Sequence, residues 1–277
     1  MSSAPVDPAN FCYRHPDRQS FVLCQRCGRT ICPQCQTQAA VGVHCPECVR
    51  EGRASSPRRP PTIAGALRTT KDQPVVTWSI IALCVIIYGL QLLPNSPVTS
   101  ALLYYAPYTY TEPWRMITAL FVHSPTSFLH ILFNMFSLFI FGPIMEQMLG
   151  RVRFLALYLL SGFGGSVAVL LIAPGTPVVG ASGAIFGLLG AYFVIQRKLG
   201  GNATQLLIVI GLNLVIGFLP GTNIAWQAHV GGLIVGAGAA LVYLRTRRLD
   251  QRLAQVIALT GIFVVLVALT LARLYLF

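Results

Sequence analysis

The sequence predicts an all-α polytopic membrane protein that carries a small metal-stabilised domain at its amino terminus. About 55% of its 277 residues are hydrophobic and only 10% are charged, whereas a soluble globular chain usually carries about 25% charged residues. Polar residues are concentrated before residue 75, and long apolar runs follow. Runs of this length indicate membrane-spanning helices. Seven of the eight cysteines lie within residues 10–48, which marks that segment as a separate domain.

Composition divides the chain into four segments. We expect a cytoplasmic zinc-binding domain over residues 1–48 and a flexible basic linker over residues 49–74, because the Pro, Ser, Gly and Arg content of the linker cannot bury a core. We expect a core of six transmembrane helices over residues 75–252 and an additional transmembrane helix over residues 253–277.

Seven spans account for the apolar runs. The first, second and seventh are Val75–Leu93, Phe128–Met148 and Leu253–Leu271. The uncharged runs Phe154–Gln196 and Leu199–Leu244 are each too long for one span of about 20 residues. The Pro-Gly turns at residues 174–177 and 220–223 therefore divide them into the third to sixth spans.

The basic residues predict the orientation of these spans. A net charge of +12 does not indicate nucleic-acid binding here, because the excess Lys and Arg residues lie in short breaks between apolar runs. Residues 1–30 are polar and resemble no cleavable signal peptide, so we expect a cytoplasmic amino terminus. The inner side then carries Arg53, Arg58, Arg59, Arg68, Lys71, Arg151, Arg153, Arg197, Lys198, Arg245, Arg247, Arg248 and Arg252, and the outer side only Arg115 and Arg273. The carboxyl terminus is expected outside.

Four polar residues inside the predicted membrane region stand out, near the outer ends of their helices. They are His130 and Asn134 on the second span, Ser182 on the fourth and His229 on the sixth. Polar groups in a bilayer are expensive and indicate function by default, although a single Ser or His there is more often back-bonded or packed between helices. Gly183 with Gly187, and Gly232 with Gly236, have the spacing that lets two helices approach closely. A Ser–His hydrogen bond across the two helices requires such an approach.

Five motifs in order resemble the rhomboid family of intramembrane proteases. They are Trp114-Arg115, His130-x-x-x-Asn134, Glu146 with Gly150-Arg151, Gly180-Ala181-Ser182-Gly183, and Ala228-His229-x-x-Gly232-x-x-x-Gly236. The resemblance covers about residues 75–245. It implies that Ser182 is the nucleophile, that His229 is its base and that His130 and Asn134 help to hold the oxyanion. It also implies substrates that are transmembrane segments of other proteins, cut near the outer face of the bilayer without a catalytic cofactor.

Two features depart from part of the family. Phe186 occupies a position that is Tyr in some members, so we expect it to orient His229 by stacking alone. A seventh span follows the six-helix core, as it does in some members.

No carboxylate accompanies the predicted site, because Glu146 is the only acidic residue in the apolar runs and lies near the inner face. We therefore expect a Ser–His dyad and a structural role for Glu146, paired with Arg151, Arg153 or backbone donors.

Four ligand pairs with two-residue spacing lie in the amino-terminal domain: Cys12 and His15, Cys24 and Cys27, Cys32 and Cys35, Cys45 and Cys48. They fit two tetrahedral zinc sites, and the reducing cytoplasm disfavours disulfides. The order resembles B-box and related cross-braced fingers, which implies one structural Zn²⁺ on the first and third pairs and another on the second and fourth. His44 is an alternative to Cys45, but the Cys45-x-x-Cys48 spacing matches the other pairs better.

Three other functions account for these residues less well than a protease does. A membrane-anchored zinc-finger scaffold or ligase-like adaptor does not explain polar residues aligned on three helices. A non-catalytic rhomboid-like client-binding protein does not explain the presence of both Ser182 and His229. A transporter would be expected to show an internal repeat, which the spans lack. The expected partners are transmembrane substrates, the lipid bilayer and a protein partner of the zinc domain, and the expected location is a bacterial plasma membrane.

Overall fold

The computed structural model describes residues 8–39, 42–55, 73–218 and 224–276. The chain forms two compact units, Met1–Thr62 and Ile63–Phe277. The expected turn at residues 220–223 and the basic residues Arg58, Arg59, Arg68 and Lys71 of the linker lie outside the described residues, as does the side chain of Arg53.

The amino-terminal unit is built from short elements around cysteines. Strands β1 (Phe11–Cys12) and β2 (His15–Gln19) pair antiparallel, as do β3 (Thr37–Gln38) and β4 (Val43–His44), and helix α1 spans Pro46–Ser55. Helix α1 thus extends into the start of the expected linker. The buried hydrophobic cluster of this unit consists of six cysteines and Ile31. So small a core does not stabilise a domain without a metal or another cross-link.

The second unit consists of helices that match the seven predicted spans. In chain order the described helices are α2 (Val75–Gln91), α3 (Val98–Leu102), α4 (Arg115–Thr118), α5 (Phe128–Leu149), α6 (Arg151–Ile172), α7 (Ser182–Lys198), α8 (Thr204–Phe218), α9 (Trp226–Arg245) and α10 (Arg252–Leu276). Helices α5, α6, α9 and α10 are long and apolar enough to cross a membrane, and α2 and α8 are shorter apolar helices. The short helices α3 and α4 lie in the loop between the first two spans. The predicted all-α polytopic membrane fold is confirmed.

Helices α6, α7 and α9 form the centre of this unit. In the most apolar stretch of α6, 61% of the residues are buried. In that of the additional helix α10 the share is 17%, so α10 lies at the periphery. The core includes Phe154, Leu157 and Tyr158 of α6 together with Leu188 of α7, all fully buried. Helices α7 and α9 are therefore held from behind by α6, which fixes their separation.

The loop between α2 and α5 is attached to the segment that leads into α7. Tyr104 and Val178 exchange two backbone hydrogen bonds of 3.0 and 2.7 Å, and the Gly180 N–H donates to the Ala119 carbonyl at 2.9 Å. Buried Arg115 donates to Glu112 at 2.6 Å and to the carbonyl oxygens of Ser100 and Leu103. These bonds fix the chain just before Ser182.

Candidate active site

Ser182 is the first residue of α7 and is half-buried. Gly180 has φ +118°, a conformation that L side chains rarely adopt, and it turns the chain from the loop into the helix. The first helical hydrogen bond runs from the Ile185 N–H to the Ala181 carbonyl. The N–H groups before it, including that of Ser182, have no acceptor within the helix, so this end of α7 favours negative charge.

Helices α7 and α9 meet through glycines at the level of Ser182. A Cβ on Gly232 would overlap the carbonyl of Gly183, and a Cβ on Gly236 would overlap the carbonyl of Gly187. A Cβ on Gly183 would lie 3.2 Å from the Ala228 carbonyl oxygen. The backbone next to Ser182 is therefore in direct contact with the backbone next to His229.

His229 is buried on α9 and stacks on Phe186 of α7. The two ring centroids are 4.2 Å apart and the ring planes differ by 7°. Phe186 lies one helical turn after Ser182, so the stacked ring places the imidazole beside the start of α7. No hydrogen bond joins Ser182 Oγ to His229 in the described structure, and such bonds often shorten only when substrate is bound.

His130 and Asn134 of α5 face the same point. A Cβ on Gly180 would lie 2.7 Å from His130 Nε2 and 3.9 Å from Asn134 Nδ2. The Ser124 N–H donates to His130 Nδ1 at 3.2 Å, which leaves the proton of a neutral ring on Nε2. Asn134 Nδ2 donates one hydrogen to the His130 carbonyl at 2.7 Å and keeps the other. Two N–H donors thus lie beside the residues that precede Ser182.

His123 lies behind His130 and was not singled out from the sequence. Its ring is fully buried 5.4 Å from the His130 ring, and neither ring nitrogen has a hydrogen-bond partner among the described residues. Burial lowers the pKa of His123 to about 3, so the ring is neutral. The Gln91 side chain donates to the His123 carbonyl at 2.6 Å and accepts from its N–H at 3.1 Å. This amide joins α2 to the loop that positions His130.

Carboxylates do not take part in the described site. Nδ1 of His229 is buried and has no partner among the described residues. The Glu146 carboxylate accepts instead from the backbone N–H groups of Val76 and Thr77, at 3.0 and 2.7 Å, and from the Thr77 hydroxyl at 2.7 Å. Glu146 therefore caps the start of α2 by accepting hydrogen bonds from its backbone N–H groups. The described site contains a serine and a histidine, and no acidic residue joins them as a third member.

Trp114 and Arg115 belong to the loop between α2 and α5 and do not reach this site. Trp114 is 53% exposed. The Arg115 guanidinium, in addition to its hydrogen bonds, lies 5.2 Å from the centroid of the Tyr108 ring. Arg115 therefore stabilises the loop that is hydrogen-bonded to Gly180.

The amino-terminal unit gathers the eight predicted ligands into two clusters. One contains Cys12, His15, Cys32 and Cys35, the other Cys24, Cys27, Cys45 and Cys48, with all ligand atoms of a cluster within 4.8 Å of one another. Cys27 and Cys45 sulfurs are 3.7 Å apart, and His15 Nδ1 lies 3.4 Å from the sulfurs of Cys32 and Cys35. Zn–S bonds of about 2.3 Å at tetrahedral angles separate two sulfurs by about 3.8 Å. The donor set and spacing fit zinc.

Further contacts favour the thiolate form of Cys24 and Cys27 in the second cluster. The Arg29 backbone N–H and guanidinium donate to Cys27, the latter at 3.3 Å, and lower the pKa of this thiol to about 6. The Cys45 N–H donates to Cys24 Sγ at 3.2 Å. Thiolates are the form that binds metal. His44 lies in β4 and does not belong to either cluster.

The matching family model and the similar proteins all belong to one family. A model described as the Rhomboid domain matches residues 110–246. The chain is 40% identical over 133 residues to RHOMBOID-like protein 6, mitochondrial, of Arabidopsis thaliana, a match that covers 45% of this chain and 42% of the relative. It is 36% identical over 146 residues to Putative rhomboid protease YdcA of Bacillus subtilis, covering 51% of this chain and 71% of the relative. It is 38% identical over 160 residues to Rhomboid protease GluP of the same organism, covering 55% and 31%. The chain spans less than half the length of the first curated relatives that it matches.

Proposed function

We propose that this chain, which belongs to the rhomboid family, is a serine endopeptidase that cleaves transmembrane segments of other membrane proteins. The observation that carries this proposal is the convergence of polar side chains from three helices at the start of α7. His130 and Asn134 lie beside Gly180, and His229 stacks on Phe186, one turn after Ser182. The relatives named as rhomboid proteases support it.

Ser182 attacks the peptide carbonyl of the substrate while His229 accepts the hydroxyl proton. His229 then gives this proton to the leaving amine. A water molecule next attacks the acyl group on Ser182 while His229 accepts a proton from it, and His229 returns this proton to the Ser182 oxygen as the acyl group leaves. Since His229 Nδ1 has no described partner, the ring is oriented by its stacking on Phe186. The catalytic unit is a dyad.

The oxyanion of the tetrahedral intermediate is held by donors that are in place before substrate arrives. These are His130 Nε2–H, the remaining N–H of Asn134 and the N–H groups at the start of α7. Donors fixed in advance in a site of low polarity contribute strongly to catalysis, because they need no reorganisation during the reaction. The substrate helix must unwind at the scissile bond, since a helical carbonyl is already hydrogen-bonded.

We place this site near the outer face of a plasma membrane, with the amino terminus in the cytoplasm. The distribution of Lys and Arg supports this orientation. The amino-terminal unit binds two Zn²⁺ ions, one by each cluster, which stabilise its fold without taking part in hydrolysis. A protein partner of this unit is part of the same proposal.

Cleavage of a model transmembrane substrate by the purified protein tests the function. Ser182→Ala and His229→Ala should each reduce the rate to background, because nucleophile and base act as one unit. Ser161→Ala is the matched control: Ser161 is a fully buried serine of α6 whose hydroxyl has no described partner. A fluorophosphonate should label wild type and Ser161→Ala but not Ser182→Ala. Substantial cleavage by a folded Ser182→Ala protein would contradict the proposal.

A further inference from the structure

A cavity of about 650 Å³ opens at the end of the membrane helices opposite the candidate active site. It lies between the end of α5, the start of α6 and the connection from α9 to α10. Four arginines line it: Arg151, Arg153, Arg247 and Arg252. Positive residues at this side of a membrane protein are expected from its orientation, but orientation does not explain their arrangement around a cavity.

Arg153 is held in place by a buried amide. Gln255 is 6% exposed, accepts from Arg153 Nε at 2.7 Å, and donates to the Thr246 hydroxyl at 2.7 Å. The Tyr243 hydroxyl donates to the Arg153 carbonyl at 2.9 Å. These contacts fix the guanidinium through Nε, which leaves its two terminal nitrogens to bind a further group.

The one acidic residue among the described residues that line the cavity does not balance the charge of the four arginines. That residue is Glu146, whose carboxylate already accepts three hydrogen bonds from Val76 and Thr77. The described ion pairs include none that involves Arg153, Arg247 or Arg252, and the nearby Arg248 pairs with Asp250 at 3.2 Å. The cavity therefore carries a net positive charge.

The lining combines this charge with apolar surface. Val152 and Val256, 82% and 59% exposed, border the cavity at the ends of helices that face lipid. Guanidinium groups match the geometry of phosphate oxygens, and the starts of α6 and α10 add the favourable field of two helix N-termini. Basic pockets between membrane helices suit lipid phosphates.

We propose that this cavity binds the phosphodiester headgroup of an anionic phospholipid, with the acyl chains along Val152 and Val256. The phosphate contacts the terminal nitrogens of Arg153 together with Arg247 and Arg252. This site lies apart from Ser182 and His229, so it does not depend on the proposed protease activity.

Native mass spectrometry of the full-length protein in detergent tests the site, with phosphatidylglycerol, phosphatidylcholine and soluble glycerol phosphate as the three probes. We expect wild type to retain phosphatidylglycerol in preference to phosphatidylcholine. The double variant Arg247→Gln/Arg252→Gln should weaken this binding about tenfold or more, which corresponds to about 1.4 kcal/mol. The control Arg197→Gln/Arg248→Gln removes the same charge from the same side outside the cavity and should bind as wild type does.

Three results would overturn the proposal. Equal loss in both double variants would reduce the effect to general electrostatic attraction. Glycerol phosphate binding as tightly as phosphatidylglycerol would identify a soluble phosphate as the ligand instead of a lipid. If the double variant fails to fold, Arg153→Lys is the substitute, because it keeps the positive charge but loses the two terminal nitrogens of the guanidinium. Unchanged phosphatidylglycerol binding by that variant would also contradict the proposal.

Discussion

The direction in which His130 presents its proton is set by one backbone group. The Ser124 N–H occupies Nδ1, so the neutral ring carries its hydrogen on Nε2, next to Gly180. Asn134 uses one amide hydrogen on the His130 carbonyl and has a second to offer. If these donors hold an oxyanion, their loss should affect turnover more than folding or substrate binding.

We therefore predict that His130→Ala and Asn134→Ala lower kcat with little change in KM or melting temperature. Loss of one such donor costs about 10²–10³ in rate in a serine protease. We expect about tenfold for Asn134, because His130 and the α7 N–H groups remain, and a larger loss for His130. The measurements are turnover at saturating substrate and thermal unfolding in detergent.

Asn213 provides the control for this prediction. It lies on α8, is exposed on its surface, and its Nδ2 donates to the Val209 carbonyl at 2.8 Å, the same local bond that Asn134 makes. Asn213→Ala should leave turnover unchanged. If His130→Ala and Asn134→Ala lower the melting temperature but not kcat, the two residues serve packing and the site is reduced to Ser182 and His229.

Sequence reasoning reaches some residues of this site and not others for a physical reason. Ser182, His229, His130 and Asn134 stand out because polar side chains within apolar spans are expensive. His123 and Gln91 lie at or beyond the ends of spans, where polar residues are ordinary. Their burial and mutual hydrogen bonds arise only when the loop folds onto α2.

At the scale of the helices, the site depends on how closely α7 and α9 approach. Gly183 and Gly232 touch through their backbones, and so do Gly187 and Gly236. In a bilayer, helices gain no hydrophobic advantage from association, so small residues and tight packing must supply the stability. An added methyl group would have to push the helices apart, which would separate Ser182 from His229.

We predict that Gly232→Ala abolishes detectable cleavage, because its Cβ would overlap the Gly183 carbonyl. Gly238→Ala is the control on the same helix, since a Cβ there meets nothing within 4 Å. It should keep wild-type activity and gain slightly in stability, as Ala favours a helix over Gly by about 1 kcal/mol. Full activity of Gly232→Ala would show that the two helices do not need this contact.

The positions of the helices could be predicted better than their boundaries. Uncharged runs and the Pro-Gly turn after α6 predicted where the long helices lie, four of which are long and apolar enough to cross a membrane, because apolar length is the dominant signal in a membrane protein. The sequence did not reveal that α7 begins at Ser182 itself or that α1 continues to Ser55. A helix start depends on local bonds, here the positive φ of Gly180 and its bond to Ala119, which no periodicity shows.

At the scale of the whole molecule, the chain joins a cysteine-rich unit to a membrane unit that has its own core. The buried groups of the first are mainly metal-ligand candidates, whereas the second buries large apolar side chains. The candidate active site takes all of its residues from the second unit. Metal and catalysis should therefore be separable.

We predict that the purified full-length protein contains about two zinc ions per chain, because each cluster supplies four ligands. A truncated protein that begins at residue 70 should contain none and should still cleave a model substrate. Elemental analysis and the cleavage assay measure the two outcomes. Loss of cleavage by a folded truncated protein would show that the amino-terminal unit contributes to the reaction.

The orientation of the whole chain decides from which side a substrate is cut. We predict that single cysteines placed at Thr111 and Thr176 react with a membrane-impermeant thiol reagent on intact cells, and that one at Asn202 does not. All three positions are exposed, so only their side of the membrane distinguishes them. The unmodified chain is an internal control: Cys84 is buried, and the remaining thiols lie in the amino-terminal unit. They are expected to stay unlabelled, because that unit is expected in the cytoplasm and its thiols are metal-ligand candidates. Labelling at Asn202 but not at Thr176 would reverse the orientation and place Ser182 near the cytoplasmic face.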